Sequence, residues 1–219
     1  MNMYLRSFIS IVILLPFVCT SHASSNPHKS LPEIMGQVVA YRRWRTITER
    51  AIRFHGNKVV DFDLVGLNGA SSAVLIFAWD SSTKTATLVR EYHPGPHAYL
   101  YGVAAGIVEE DKHNGDSELA AQHELEEECH LAGGMWYLLT PQPLAMDKYT
   151  TTNVRAFLVV DSLHVPDPRP QDDEEDIEII RGVGIPQILE MISRGEFNMV
   201  GTFACLLAMN KLRELNEID

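Results

Sequence analysis

NVRAFLVVDSL, at residues 153–163, is a clean apolar run that reads as a buried strand, and a buried strand obliges the rest of the chain to cover it. IPQILEMISRGEF and TFACLLAMNKLREL read as two amphipathic helices joined across residues 195–201, and SELAAQHELEEEC reads as a third. Upstream, SAVLIFAWD and TATLVREYH make a hairpin around the polar residues 81–84. QVVAYRRWRTITERAIRF and NKVVDFDLVGL read as strands, with HGN at 55–57 as the turn between two of them. YLYGVAAGIVE begins as another extended piece, and WYLLTPQPLAM is a strand that breaks at its prolines. The order of strands, helix, strands and helices predicts a compact α/β sandwich on an antiparallel or mixed sheet, not a two-domain chain.

With 219 residues, 46% of them apolar, the chain is long enough to bury a real core. Its 29 acidic against 18 basic side chains give a formal charge of -11, a field that repels phosphate backbones and argues against nucleic acid as a generic partner. A negatively charged small substrate would need a local cation, which a divalent metal on a carboxylate cluster supplies. At the N-terminus, Arg6 precedes an apolar run at residues 8–18, with small Ser21 and Ala23 set for cleavage. Residues 1–23 are therefore expected to be a signal peptide that sends the protein into the secretory pathway; a signal anchor, a plastid or other organellar targeting leader, and a buried N-terminal element are the alternatives. The run is too short for a stable membrane span. Cys129 and Cys205 lie among apolar helical neighbours and read as core thiols.

The helix around HELEEEC carries the chemistry. Asp116 or Ser117 can cap it. At 100° per residue, Ala121, Leu125 and Cys129 stack on one face to pack against a sheet, while Glu124, Glu127 and Glu128 stand at i, i+3 and i+4. A divalent ion could reach two or three of those carboxylates, and their hard oxygens suit Mg²⁺ or Mn²⁺. The other reading of the same spacing is a solvated acidic face.

AAGIVEEDKHNGDSELAAQHELEEECHL resembles the Nudix box, in the version carried by ADP-ribose and ADP-sugar diphosphatases. Gly106 matches the opening glycine, and Glu124, Leu125, Glu127, Glu128 and Leu131 match the helix and its apolar exit. LVREYHPGPHAYLYGVAAG resembles the segment that leads into the box, and EEDIEIIRGVGIPQILEMISRGEF the closing strand and helix; the likeness covers residues 38–215. It implies a Nudix-type mixed-sheet α/β/α sandwich at residues 68–215, preceded by an N-terminal extension at 24–67. It also implies a homodimer formed by exchanging strands within residues 38–67. The implied reaction is Mg²⁺- or Mn²⁺-dependent attack of water on the pyrophosphate of a nucleoside diphosphate-sugar, of the ADP-ribose or ADP-glucose type, giving AMP and a sugar phosphate. Glu124 and Glu128 would be principal metal ligands, Glu127 a further ligand or a support for them, and the Ala105 carbonyl another ligand.

The chain departs from the box at His123, where the family has Arg, and at His130, where it has Gly. Gly115 and Asp116 replace the usual Gly-Glu pair, and the loop after Gly106 is three residues longer. The acidic run at residues 172–176 matches the place of a mobile glutamate that activates water or binds metal in ADP-ribose hydrolases, which makes Glu174 and Glu175 candidates; a solvated loop is the alternative. Arg90 is expected to meet the substrate's phosphates or ribose, with a structural salt bridge as the alternative, and Tyr149 or Trp136 to stack on its base, with a core or edge aromatic as the alternative. The Ser-Pro-Gly tripeptide of ADP-ribose hydrolases is missing from LAMDKYTTTNVRAFLVV. A catalytically impaired module that binds nucleotide or a protein is the alternative function.

Overall fold

The computed structural model describes residues 30–70, 72–171 and 175–219, so the expected leader and Glu174 lie outside the described residues. Its elements in chain order are β1 (Glu33–Arg42), β2 (Arg45–Arg53), β3 (Val59–Leu67), β4 (Ser72–Asp80), β5 (Thr85–His93), β6 (Ala98–Gly102), β7 (Ala104–Ile107), α1 (Glu110–His113), α2 (Ser117–Cys129), β8 (Leu131–Ala132), β9 (Met135–Leu138), β10 (Leu144–Ala145), β11 (Asn153–Val160), β12 (Leu163–His164), β13 (Ile177–Val183), α3 (Ile185–Ser193) and α4 (Met199–Glu214).

The apolar run at residues 153–163 supplies β11, which pairs in parallel with β4 from Asn153 opposite Ser72 to Val160 opposite Trp79. Strand alternation splits the side chains of both strands between two cores. Val74, Ile76, Ala78, Phe157 and Val159 face α2, joined by its Ala121, Leu125 and Cys129. Leu75, Phe77, Trp79, Ala156 and Leu158 face the other way, where Ile188 of α3 and Ala204, Cys205, Ala208 and Leu212 of α4 cover them. The result is an α/β/α sandwich on a mixed sheet of order β10-β11-β4-β5-β13. Both remaining cysteines are free and buried, as expected of core thiols.

The expected β4–β5 hairpin forms, its turn tied by the Asp80 carboxylate to the amides of Ser82 and Thr83 at 2.8 and 3.1 Å. β5 stays beside β4 only from Thr85 to Thr87 and then splays away. The single extended piece expected at residues 99–109 breaks at Val103 to fill the fork: β6 pairs with the outer half of β5, and β7 with the inner half of β4. At the second helical junction Gly201 lies inside α4, not before it. The Asn198 side chain caps the helix by accepting from the Gly201 amide at 2.6 Å, and a Cβ at Gly201 would sit 3.2 Å from Gly102 Cα, so close packing selects the glycine.

β1, β2 and β3 form a separate antiparallel sheet, turning through Gly56 and Asn57 as HGN predicts. β1 starts at Glu33, four residues ahead of the strand expected from Gln37, and is exposed along its whole length, with Ile34, Met35, Val38, Val39 and Tyr41 open to solvent. The sheet ties to the body through Val65, whose amide donates to the Tyr149 carbonyl at 2.9 Å and whose carbonyl accepts from the Thr151 amide at 2.8 Å. No helix among the described residues is long and apolar enough to cross a membrane.

Candidate functional site

The fork between β4 and β5 places β7 directly against α2. Asp116, one of the two residues expected to cap that helix, accepts from the amides of Glu118 and Leu119 at 2.9 and 3.3 Å. Ala121, Leu125 and Cys129 are buried on the face that the spacing assigned to them. Glu128 is also buried, at 4% exposure, because it leaves the helix on the flank that meets β7. Its Oε2 accepts the Ala105 N–H at 2.8 Å. Ala105 therefore turns its amide away from β4, and in an antiparallel ladder the carbonyl of such a residue turns the same way.

Glu124 lies over the next residue of the strand. A Cβ built on Gly106 would stand 1.8 Å from Glu124 Oε1 and 1.9 Å from its Cδ, so the carboxylate occupies the space a side chain would fill. The glycine at position 106 has a steric reason here. No positive φ is involved at this position.

Burial, and after it the charge of Glu124, push the Glu128 carboxyl well above the ordinary 4.5; the Ala105 N–H works in the opposite direction, and Glu175 and Glu91 add to the rise. Glu175, a candidate from the acidic run, is thus close enough to act on Glu128. Glu91 was not foreseen. It follows Val89 by two in β5, and Val89 packs in the α2-facing core, so Glu91 and then His93 project to the same side. His93 Nε2 is 3.7 Å from Glu91 Oε2, and this buried atom finds no hydrogen-bond partner among the described residues.

The carboxylates around the buried Glu128 are hard oxygen donors of negative charge, which fits a divalent ion in donor type and in sign. Among the described residues no group of three or more His, Cys, Asp or Glu side chains is placed to hold a metal. Glu127 is half-buried on α2.

Other expected contributors stand elsewhere. Arg90 shares its face of β5 with Leu88, which belongs to the core beneath α3 and α4, so it projects from the side of the sheet opposite Glu91. There it pairs with Glu178 at 3.3 Å and lies over the Tyr99 ring at 4.9 Å. Tyr149 is exposed on the loop that docks on β3, with Lys148 Nζ 5.1 Å from its ring centroid. Trp136 packs edge-on against Phe157 and lines a groove of about 430 Å³ with His123, Glu126 and Arg169. That groove runs along the flank of α2 turned away from Glu128, apart from the place where the carboxylates gather.

His123 faces this groove, its ring 5.3 Å from that of buried His113 in the longer loop, part of which forms the single turn α1. Burial first, then the charges of Arg169 and His113, hold its imidazole below the ordinary 6.5, while Glu126 opposes them. At neutral pH the position therefore lacks the permanent charge of an arginine.

His130 ends α2 with φ 53°, in the left-handed region that the family's glycine would enter without strain. Changing His130→Gly should stabilise the fold by about 1 kcal/mol. For a chain of this size that corresponds to a melting temperature roughly 2–4 °C higher, read by calorimetry. No gain would mean that the imidazole makes a compensating contact.

No protein-family model matches the chain, and no curated protein matches it. Among solved structures it is similar to one described as the crystal structure of an ADP compounds hydrolase, with a TM-score of 0.70 and 18% identity, covering 87% of this chain and 100% of that one. The identity is low and the likeness is one of fold. The chain thus has a mixed-sheet α/β sandwich, a fold that it shares with that structure.

Proposed function

We propose that the protein is a Mg²⁺- or Mn²⁺-dependent hydrolase of a nucleoside diphosphate-sugar, of the ADP-ribose or ADP-glucose type, that releases AMP and a sugar phosphate. The observation that carries this is the pair of carboxylates fixed on β7: Glu124 seated over Gly106, and Glu128 buried against the Ala105 amide. The similar structure, described as a hydrolase of ADP compounds, agrees with the substrate class. A divalent ion bound there would supply positive charge for the pyrophosphate and make water a better nucleophile. Glu124 and Glu128 would hold it, with Glu127 and the Ala105 carbonyl as further donors. The Ala105 N–H occupies one Glu128 oxygen and leaves the other for binding. Glu175, beside Glu128, takes the proton of the attacking water.

A second reading, a Nudix-like module that binds nucleotide or a protein without turnover, is favoured by the uncharged His123 and by the absence of a closed three-carboxylate cage among the described residues. Phosphate release from ADP-ribose, ADP-glucose, UDP-glucose and FAD, coupled to alkaline phosphatase, separates the two. Release with Mg²⁺ or Mn²⁺ that stops in EDTA supports the hydrolase. Nucleotide binding without release supports the module.

The open edge and apolar side chains of β1 favour a homodimer through the N-terminal sheet. Sedimentation should give twice the monomer mass; a monomer at micromolar concentration would end the idea. Targeting of residues 1–23 to the secretory pathway is part of the same proposal, and a fusion of those residues to a reporter that stays in the cytosol would refute it.

A further inference from the structure

We propose that Tyr99 is a positioning residue, bracing Asp176 from one side of the sheet so that Glu175 is aimed at Glu128 on the other. This rests on the reading of Glu175 as the group that takes the proton.

The argument is one of alternation. Ile177, the first residue of β13, pairs with Glu91 and packs in the α2-facing core. One residue earlier the ladder continues, since the Tyr92 amide donates to the Asp176 carbonyl at 3.3 Å. Asp176 therefore projects to the opposite face, and Glu175 returns to the α2 side, where its charge bears on Glu128.

On the far face the Tyr99 hydroxyl donates to the Asp176 carboxylate. Tyr99 stands directly across β5 and β6 from Tyr92, the two rings meeting edge-on at 5.6 Å. Arg90 lies over the Tyr99 ring and reaches Glu178, two residues beyond Asp176. Tyr99, Arg90 and the Tyr92 amide together hold the start of β13 at Asp176 and Glu178. In this assignment Arg90 belongs to the brace and not to the substrate. The brace lies on the face of the sheet turned away from α2. Its effect on the chemistry passes through the direction of one side chain.

Tyr99→Phe removes the hydroxyl and keeps the ring beneath Arg90. Hydrogen exchange of the Tyr92 amide and of peptides covering residues 175–178 should accelerate on the order of tenfold in this variant. The kcat should fall by roughly tenfold to a hundredfold with KM unchanged. In a Glu175→Gln background the same change should cost nothing further, because the group it aims is gone. Asp176→Asn alone, which still offers an acceptor to the Tyr99 hydroxyl, should keep near wild-type exchange and kcat.

Unchanged exchange in Tyr99→Phe overturns the brace whatever the activity. Equal losses in the two backgrounds overturn the aiming of Glu175. If the wild type hydrolyses no member of the panel, faster exchange still supports the brace while the hydrolase reading falls, and Mn²⁺ affinity across the same four proteins then replaces kcat in the cycle.

Discussion

Under the proposed hydrolase reading, replacing Glu128 with Gln should lower turnover on the order of a thousandfold, the scale seen when a group that organises transition-state charge is removed, while the metal-free protein should become more stable. The two effects have one cause. Glu128 is buried at 4% exposure, and its neighbours Glu124, Glu175 and Glu91 add negative charge to a place that already disfavours it. Gln keeps the shape and an oxygen for the Ala105 amide, and brings no charge. Stabilisation of about 1 kcal/mol is expected, the range of gains found when a functional compromise is relieved.

The pH dependence fixes the sign. A carboxyl raised in the folded state costs nothing while it is protonated in both states, and its burial destabilises the fold as pH climbs above the ordinary 4.5 and through the folded value. The melting temperature of the metal-free wild type should therefore decline with rising pH across that window. Glu128→Gln should flatten the decline, and Mn²⁺ should flatten it in the wild type by replacing the missing positive charge. Thermal melts from pH 4 upward, with and without Mn²⁺, check this. A slope that Glu128→Gln leaves unaltered would remove Glu128 from the account.

Gly106→Ala is the complementary experiment. The new methyl would meet Glu124 Oε1 at 1.8 Å, inside any possible contact, but the obstacle is the far end of a flexible side chain. The fold can yield by moving Glu124. Stability should change by less than about 1 kcal/mol, whereas turnover should drop about a hundredfold because the carboxylate no longer sits over β7. A calorimetric melt alongside the coupled assay separates the outcomes. Full activity in Gly106→Ala would show that the seat of Glu124 is irrelevant to the chemistry.

Periodicity gave the buried stripe of α2, while the reading of its carboxylates as a site came from the resemblance to the Nudix box and stands as a proposal. Ala121, Leu125 and Cys129 had to be buried once the helix packed on a sheet, and Glu124 and Glu128 flank that stripe. The sheet half was hidden, because Glu91 and His93 matter only where β5 has parted from β4, and nothing in TATLVREYH announces where two paired strands separate. The same alternation that brings Glu91 to α2 carries Arg90 away from it, which no reading of Arg90 as a strand-end cation could foresee. His130 was legible as a departure from the box. That the backbone keeps the left-handed turn without its glycine was not.

The fork in the sheet also limits what position 128 can become. Where a strand leaves its neighbour, an amide loses its ladder partner, and here Ala105 finds its acceptor in a side chain. Asp, one methylene shorter, would retain charge and lose reach, leaving the Ala105 amide without that acceptor. Hydrophobic residues would suit the burial and strand the same amide. Only Glu and Gln satisfy the backbone, and only Glu carries charge, so natural variation at this position should track whether a lineage retains chemistry, while the fold tolerates either residue.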